Sequence, residues 1–247
     1  MNKKHLILPV SVLCLSTSLF AQAEEAKAEQ TWEATAELGY IKTSGNSETE
    51  TLNAKFKGET GYNKWTHQLE LEALRSASED STTGEDERSA EKYRIEIQSD
   101  YDLGERMYAF GNANWENDNF SGLNYQASIA SGLGYKVIKN DEMKLNLELA
   151  PGYRITEDES NNTEEDAIVR AAETFSWNLS KTSTFAQYLK VEAGDSNTET
   201  RFGLALTSKI AGDLSMKVSH DIVHNSDVPA GSDKTDRESA ITLVYKL

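Results

Sequence analysis

Long stretches of this 247-residue chain alternate polar and apolar side chains with a period of two. In one of them, Leu145, Leu147 and Leu149 alternate with Asn146 and Glu148. Because successive side chains of a strand point to opposite faces, the pattern predicts β-strands with one apolar and one polar face. Several stretches exceed the roughly 5–6 residues of a globular strand and match the ~9–11 residues of a tilted membrane strand.

Twelve such segments follow one another along the chain. They begin near residues 32, 49, 65, 90, 106, 123, 143, 166, 184, 199, 214 and 235. In the segments at 106–115 and 166–179 the phase of the alternation is ambiguous, so their boundaries stay open. After residue 31 no apolar stretch is long enough for a membrane-spanning helix.

The connections between these segments alternate in length. Short turns such as Asn63-Lys64 and 211–213 alternate with longer polar loops near 76–89, 155–165 and 224–234. Short turns at one end and long loops at the other are typical of outer-membrane barrels, and an even strand number places both termini at the short-turn end. We therefore predict an all-β fold over residues 32–247. It is an antiparallel, up-and-down transmembrane β-barrel of about twelve strands, with short periplasmic turns and longer extracellular loops.

Aromatic residues gather at both ends of the predicted strands, as two membrane interfaces would select. Those near the short turns or the termini are Trp32, Tyr62, Trp65, Tyr101, Tyr135, Trp177, Phe185 and Tyr245. Those near the long loops are Tyr40, Trp115, Phe120, Tyr125, Tyr153 and Phe202. A soluble β-sandwich would explain the alternation equally well, but neither the two belts nor the unequal loops.

The first residues have the features of an export signal. Two lysines precede a largely apolar run over residues 6–20, which ends at the small-residue site Ala21-Gln22-Ala23. We predict a signal peptide over residues 1–23, cleaved after Ala23, followed by a flexible polar segment over residues 24–31. The single cysteine, Cys14, lies inside the leader, so we expect the mature chain to contain no disulfide.

The chain is strongly acidic, with a formal net charge of -16 that becomes -18 once the two leader lysines are removed. Such a chain repels phosphate backbones, which excludes nucleic acid as an expected partner. Acidic residues concentrate in two predicted loops, at 78–91 and 157–166. These loops are either hydrated surface, sites where divalent cations bridge to lipopolysaccharide, or an electrostatic screen that favours cations.

The polar faces of the strands carry charges of both signs, and in a barrel they would face the lumen. The predicted inward-facing charged residues are Lys55, Lys57, Glu59, Glu70, Glu72, Lys92, Arg94, Glu96, Lys144, Glu148, Arg154, Lys190, Glu192, Arg201 and Lys217. Eight strands leave a lumen filled by side chains, whereas sixteen leave a water channel. Twelve strands leave two alternatives open, a narrow hydrated pore and a closed network of ion pairs.

Several strings, taken in order, resemble one family. They are Leu38-Gly39-Tyr40 with Ser44-Gly45-Asn46-Ser47, the run from Asp86 to Tyr93, Gly132-Leu133-Gly134-Tyr135, Pro151-Gly152-Tyr153-Arg154, and Thr235-Asp236-Arg237. Together they resemble the YdiY-like salt-induced outer membrane proteins, a family without an assigned function. The resemblance covers about residues 32–247. It implies an outer-membrane location and a response to salt or osmotic conditions, and it implies no catalytic residues.

The C-terminal alternation from Ile241 to Leu247 also resembles the signal read by the barrel assembly machinery, although that signal usually ends in Phe or Trp.

The residues offer little support for catalysis or metal binding. The tripeptide His224-Asn225-Ser226 resembles the His-x-Ser pair of barrel phospholipases, but a nucleophile needs an oriented base and no partner can be assigned. The spacing Asp195-x-Asn197-x-Glu199 resembles part of a calcium loop, although Thr200 occupies the glycine position. We therefore assign no catalytic, cofactor-binding or metal-ligating residue.

These observations predict a non-enzymatic outer-membrane barrel linked to the salt response, with a narrow pore for small ions or solutes as the working hypothesis. Its expected partners are outer-membrane lipids, lipopolysaccharide, the barrel assembly machinery and small ions or solutes. The alternatives are a non-conducting barrel whose acidic loops bridge lipopolysaccharide through divalent cations, a membrane-embedded hydrolase, and a soluble periplasmic β protein.

Overall fold

The computed structural model describes residues 31–43, 49–79, 86–118, 123–158, 160–228 and 233–247. The predicted leader at 1–23, with Cys14, and nearly all of the segment at 24–31 lie outside the described residues. The twelve strands are β1 (Thr31–Thr43), β2 (Thr49–Tyr62), β3 (Trp65–Glu79), β4 (Asp86–Asp102), β5 (Met107–Asp118), β6 (Leu123–Lys139), β7 (Met143–Asp158), β8 (Thr163–Asn178), β9 (Ser183–Ala193), β10 (Thr198–Ala211), β11 (Leu214–Asn225) and β12 (Thr235–Lys246). The described residues contain no helix long and apolar enough to cross a bilayer.

The strands form one closed antiparallel barrel in which each strand pairs with its neighbours in sequence and β12 pairs with β1. The predicted strand starts at 90 and 166 lie a few residues inside β4 and β8, and the other starts agree to within one residue. Both the first residue of β1 and the last residue of β12 lie at the short-turn end, as predicted. The predicted twelve-stranded, up-and-down barrel is confirmed.

Tight connections at the short-turn end follow from local backbone chemistry. Asn63 and Gly212 adopt positive φ angles of 56° and 53°, in the turns that join β2 to β3 and β10 to β11. Asparagine and glycine tolerate this left-handed region better than other residues, so each can reverse the chain within two or three residues. These residues fix the register of their hairpins.

The burial pattern is the reverse of that in a soluble protein. Large apolar side chains such as Ile129 and Leu149 are more than 60% exposed on the outer wall, whereas Arg154 is 1% exposed inside. Apolar surface outside and charged groups inside is the arrangement of a barrel whose surroundings are hydrocarbon. A soluble β protein would turn its apolar face inward, so the fold favours the transmembrane class over that alternative.

The predicted aromatic belts lie on the outer wall at the strand ends. Trp32, Tyr62 and Tyr245 are about half exposed or more at the short-turn end, and Tyr40 is similarly exposed toward the long loops. Trp65 packs against Tyr101 of β4 with ring centroids 4.9 Å apart. Phe120 lies outside the described residues. The belts mark the two levels at which the wall meets the interfaces of a bilayer.

The two segments of ambiguous phase owe that ambiguity to inward-facing apolar side chains. In β5, Tyr108 and Phe110 are each 3% exposed and point into the lumen, whereas Ala109 and Gly111 face outward. In β8, Ile168 points inward and is 3% exposed. Large apolar residues inside and small residues outside invert the expected pattern, because these side chains fill space in the lumen.

A charge added to the outer wall should therefore cost more stability than the same charge added to the lumen. Leu204 faces outward near the middle of β10, and its neighbour Ala205 faces the lumen opposite Ala186 and Ser219. We expect Leu204→Arg to destabilise the lipid-embedded barrel by about 2–4 kcal/mol, as for arginine at the bilayer midplane. We expect Ala205→Arg to cost much less. Urea unfolding of the barrel in lipid vesicles measures both, and equal losses would contradict the assignment of the two faces.

Candidate functional site

The lumen is the candidate functional site, because the buried polar side chains of the barrel converge there. Those with the lowest exposure are Glu37, Asn53, Glu96, Asn112, Glu116, Gln126, Ser128, Arg154, Asp166, Arg170, Glu199, Arg201 and Thr242. A buried ion is tolerated only when it is paired and hydrogen-bonded. The arrangement of these pairs therefore determines what the lumen can do.

Some ion pairs join neighbouring strands within one wall. Lys55 and Lys57 of β2 lie directly opposite Glu72 and Glu70 of β3 in the strand register. The Lys55 Nζ lies 3.1 Å from Glu72 and the Lys57 Nζ lies 2.9 Å from Glu70. Opposite charges at facing positions on one face of two strands stabilise the pairing modestly. These pairs line the lumen without crossing it.

Other ion pairs cross from one wall to the facing wall, and we call them the cross-lumen network. It consists of Arg94 and Glu96 of β4, Glu116 of β5, Lys190 of β9, and Glu199 and Arg201 of β10. The Lys190 Nζ donates to both carboxylate oxygens of Glu96 at 2.8 Å. The Arg201 Nη2 lies 2.9 Å from Glu116 Oε2. β4 and β9 are five strands apart in a ring of twelve, as are β5 and β10, so the links span almost the full width.

Members of the cross-lumen network also form hydrogen bonds with residues of their own wall. Arg94 donates to Glu96 at 2.6 Å, and Asn112 donates to the same carboxylate at 2.9 Å. On the facing wall, Arg201 donates to both oxygens of Glu199, at 2.6 and 3.0 Å. The two arginine–glutamate pairs each join residues two apart on one strand, which share a face.

A second polar cluster centres on Glu148 of β7. Its carboxylate accepts hydrogen bonds from Gln98 at 2.8 Å, from Tyr108 at 2.9 Å and from Arg170 at 2.7 Å. The Tyr108 ring can lie flat along the wall because residue 134 is glycine, where a Cβ would meet the ring at 2.1 Å. The cluster fills the lumen on the β4–β8 side.

The loop between β9 and β10 is tied to the wall at the long-loop end. Arg154 donates to Asp166 at 3.0 Å and to the backbone oxygen of Asn197 at 2.5 Å. Ser196 donates to the same Asp166 carboxylate through its side chain and its backbone amide. This short loop is therefore anchored beside the lumen entrance.

A polar chamber of about 320 Å³ lies on the long-loop side of the cross-lumen network. It is lined by Lys55, Glu72, Leu74, Lys92, Arg94, Asp118, Tyr188, Arg201, Asp221, Val223, Asp236, Arg237 and Glu238. On this side of the lumen, Lys217 of β11 bonds to Glu37 of β1, Glu238 of β12 accepts from Asn53 of β2, and Asp221 of β11 accepts from Tyr188 of β9, so these bonds reach only the second strand along the wall. A separate groove of about 490 Å³, lined by residues such as Ala36, Ala54 and Leu243, opens on the outer wall and faces lipid.

The chamber is lined by five cationic and five acidic residues, but the two signs are unevenly distributed around it. Arg94 and Arg201 are already paired with carboxylates of the cross-lumen network. Within the described part of the chain, no lysine or arginine lies within 4.0 Å of Asp221, Asp236 or Glu238. Tyr188 donates to Asp221 at 2.8 Å and Asn53 donates to Glu238 at 2.5 Å, which orients two of the three carboxylates. β11 and β12 therefore contribute three carboxylates and one guanidinium, that of Arg237, to the chamber, so this wall carries an excess of negative charge.

The long-loop end adds further negative charge. At the tip of β7, a side-chain hydrogen bond from Asn162 lowers the pKa of Asp158 below its ordinary value, and the Asn162 amide contributes to the same effect. Asp158 is therefore ionised at neutral pH. Most of the acidic run at 78–91 has side chains outside the described residues, as does Glu159.

The structure separates the residues of the two sequence motifs. His224 faces the outer wall and its Nδ1 lies 2.8 Å from Thr235 Oγ1, while the Ser226 hydroxyl donates to Asn197 at 3.1 Å. In the calcium-like spacing, Glu199 points into the lumen toward Arg201, whereas Asn197 bonds to Asn225 at 2.8 Å. Within the described ranges, no group of three or more His, Cys, Asp or Glu is placed to hold a metal ion.

The sequence pattern predicted many of the charged residues that line the lumen, but it missed several of the residues with which they pair. The predicted inward residues, among them Arg94, Glu96 and Lys190, do face the lumen. Glu37, Glu116, Asp166, Arg170 and Glu199 also face it but were absent from the predicted set. Glu116, Asp166 and Arg170 lie in the strands whose phase was ambiguous, so correct phasing of β5 and β8 would have revealed them.

Fold and lumen together define the class: this is a transmembrane β-barrel with a charged interior, the architecture of outer-membrane porins and channels. The chain belongs to the family described as "Protein of unknown function, DUF481", whose sequence profile matches residues 36–247. It is 27% identical over 225 residues to "Uncharacterized protein YdiY" of Escherichia coli (strain K12), covering 91% of this chain and 86% of that protein. The predicted YdiY-like family is thereby confirmed.

Solved structures share the fold at low sequence identity. The NanC porin superposes with a TM-score of 0.53 at 11% identity, over 86% of this chain and 98% of the porin. The COG4313 outer membrane channel from Pseudomonas putida F1 gives a TM-score of 0.50 at 10% identity, over 93% of this chain and 100% of the channel. At these identities the similarity establishes the barrel architecture.

The cross-lumen network should contribute strongly to stability through Arg201, whose loss would leave the buried Glu199 without its cation and Glu116 with only its longer contacts to Lys92 and Arg94, at 3.4 and 3.6 Å. We expect Arg201→Met to lower the free energy of unfolding by about 3–5 kcal/mol. Lys57→Met is the matched control, because its half-exposed ion pair is worth at most about 1 kcal/mol. Adding Glu199→Gln to Arg201→Met should recover part of the loss. Urea titration of the refolded barrel decides this, and a loss no larger than in the control would contradict the role of Arg201.

The geometry of His224 and Ser226 gives no oriented base for a serine nucleophile. We expect neither the unaltered barrel nor Ser226→Ala to hydrolyse phospholipid above the rate of protein-free vesicles, measured with a fluorogenic phospholipid. Hydrolysis by the unaltered barrel that Ser226→Ala abolishes would restore the hydrolase hypothesis.

Proposed function

We propose that this chain is exported by its leader, inserted in the outer membrane by the barrel assembly machinery, and passes small ions through its lumen. The observation that carries the proposal is the polar chamber of about 320 Å³, bordered by charges of both signs inside an apolar outer wall. A cavity lined by charged groups within a hydrocarbon-facing wall provides an environment in which an ion keeps favourable interactions. The names of the superposed structures, a porin and a channel, agree with this proposal.

The charge distribution favours cations over anions. Asp221, Asp236 and Glu238 outnumber Arg237 on one chamber wall, and described acidic side chains at the β7–β8 hairpin, such as Asp158, add the same sign at the long-loop end. A vestibule lined by one sign of charge concentrates counterions near its mouth. We propose that small monovalent cations are the preferred species. The link to salt conditions comes from the resemblance to the YdiY-like proteins, and an ion pathway is a physical means by which such a protein would act.

A second candidate function is a non-conducting barrel that holds the lipid layer together. The cross-lumen network favours it, because ion pairs between facing walls obstruct the path of an ion. In this alternative the acidic loops bind lipopolysaccharide through bridging divalent cations, and the described carboxylates of Glu157 and Glu165 at the β7–β8 hairpin would take part. Conductance separates the two candidates.

The deciding experiment is planar-bilayer recording of the refolded chain without its leader, in low and high potassium chloride. We expect discrete current steps with a preference for potassium over chloride in low salt. The preference should weaken in high salt, because the Debye length falls from about 10 Å at 0.1 M to about 3 Å at 1 M. The triple variant Asp221→Asn, Asp236→Asn, Glu238→Gln should lose most of the low-salt preference.

Electrophoretic heat-modifiability provides the control for folding in every recording. A barrel that is folded by this criterion and never conducts in any salt would overturn the pore and support the lipid-binding alternative. Discrete steps with an unchanged preference in the triple variant would retain the pore but reject the chamber as the source of its selectivity.

A further inference from the structure

The ion pair between Lys190 and Glu96 is the weakest-anchored link of the cross-lumen network. Glu96 keeps two other donors, Arg94 at 2.6 Å and Asn112 at 2.9 Å. Arg201, in the neighbouring link, is held by Glu199 at 2.6 and 3.0 Å on its own strand. The hydrogen bonds of the Lys190 ammonium to described residues all go to Glu96. The ammonium also lies 5.9 Å from the centroid of the Tyr188 ring, in a cation–π contact. Release of Lys190 therefore leaves every other member of the network paired.

Lys190 has a second carboxylate within reach on its own strand. Glu192 lies two residues further along β9, on the same face, and its side chain accepts a hydrogen bond from Ser128 at 3.4 Å. Among the described residues no lysine or arginine lies within 4.0 Å of the Glu192 carboxylate. Charged residues two apart on one strand already pair in this barrel, as Arg94 does with Glu96 and Arg201 with Glu199, both at 2.6 Å. A Lys190–Glu192 pair would repeat that geometry.

The position of Lys190 relative to the chamber gives these two arrangements a consequence. Arg94 and Arg201 line the chamber, whereas Glu96 lies two residues nearer the short-turn end of β4. The Lys190–Glu96 link therefore crosses the lumen between the chamber and the periplasmic end. With Lys190 on Glu96 the passage below the chamber is obstructed, and with Lys190 on Glu192 the ammonium lies against its own wall. The Arg201–Glu116 link stays in place in both arrangements, so the movement of Lys190 widens the passage beside that link.

Resting on the proposed pore, we infer that Lys190 is a two-position latch that closes the lumen on Glu96 and opens it on Glu192. Lysine suits this role because its flexible stem carries a single compact charge that moves between carboxylates. A ligand or condition opens the latch only to the extent that it favours one arrangement over the other. The latch requires that the free-energy difference between the two lysine–glutamate pairs is small enough for both arrangements to be populated.

The test is single-channel recording of two variants for which the inference predicts opposite changes in open probability or mean conductance. Lys190→Met removes the latch, and we expect the open probability or the mean conductance to rise roughly twofold or more. Glu192→Gln removes the charge that holds the open position, and we expect the same quantity to fall. Lys217→Met is the control, because its pair with Glu37 at 2.9 Å joins β11 to β1 without crossing between facing walls. The control should conduct like the unaltered barrel.

A cross-linking measurement does not depend on the stability of the charge variants. The only cysteine of the sequence lies in the leader, so Glu96→Cys with Lys190→Cys places the sole thiols on the facing walls. Joining them with a bifunctional maleimide should hold the lumen closed, whereas capping each with a small neutral reagent should leave it open. Equal conductance after the two treatments would overturn the latch.

The outcomes distinguish the latch from the pore itself. If the unaltered barrel conducts and Lys190→Met and Glu192→Gln leave conductance unchanged or move it in the same direction, the latch is wrong and the pore stands. If the unaltered barrel is silent in every salt and Lys190→Met conducts, the closed position of the latch is supported, but the proposed pore and the open position on Glu192 are both overturned. If heat-modifiable forms of the unaltered barrel and Lys190→Met are both silent, the proposed function fails together with the latch.

Discussion

The structure depends on one requirement, that every backbone amide and carbonyl exposed to hydrocarbon must be hydrogen-bonded within the protein. A sheet can meet this requirement only by closing on itself, so β12 returns to β1. That closing ladder is the shortest in the barrel: among the described residues it has four pairs, from Thr35–Lys246 to Leu38–Leu243. Each of the other ladders has ten or more. Closure is thus achieved with little redundancy at the seam, where Leu247 adds one further bond to Ala34.

Closure reverses the usual division between inside and outside. The outer wall must be apolar, so the polar half of each strand is left to the lumen, where water is limited. Charged residues can remain there only when paired, because an unpaired ion in such a site costs several kcal/mol. The cross-lumen network meets this condition by connecting Glu116 to Arg201 and Glu96 to Lys190 across the barrel. The carboxylates of Asp221, Asp236 and Glu238 border the open chamber, where water and mobile cations can solvate them.

The sequence allowed the strands, their number and most of their faces to be predicted, because a period of two with one apolar face leaves little freedom. It failed in β5 and β8, where Tyr108, Phe110 and Ile168 point inward. The alternation rule assumes that apolar side chains face lipid, and these residues fill the lumen instead. The pairing of Glu96 with Lys190, 94 residues away, could not be predicted. Such contacts depend on how the closed ring places non-neighbouring strands, which strand-by-strand patterns do not encode.

Twelve strands give a lumen whose width matches the reach of long charged side chains. In an eight-stranded barrel the side chains fill the interior, and in a barrel of sixteen strands side chains from facing walls leave a water channel between them. Here strands five steps apart are bridged by single lysine and arginine residues, while the half of the lumen between β11 and β3 keeps space for the chamber. A lumen of this width can be blocked by one side chain and cleared by its displacement along the wall. The same residues can therefore serve both stability and passage. Arg201, fixed by Glu199 on its own strand, holds the walls together, whereas the hydrogen bonds of Lys190 to described residues all go to Glu96, which is why the inferred exchange of partners falls on Lys190.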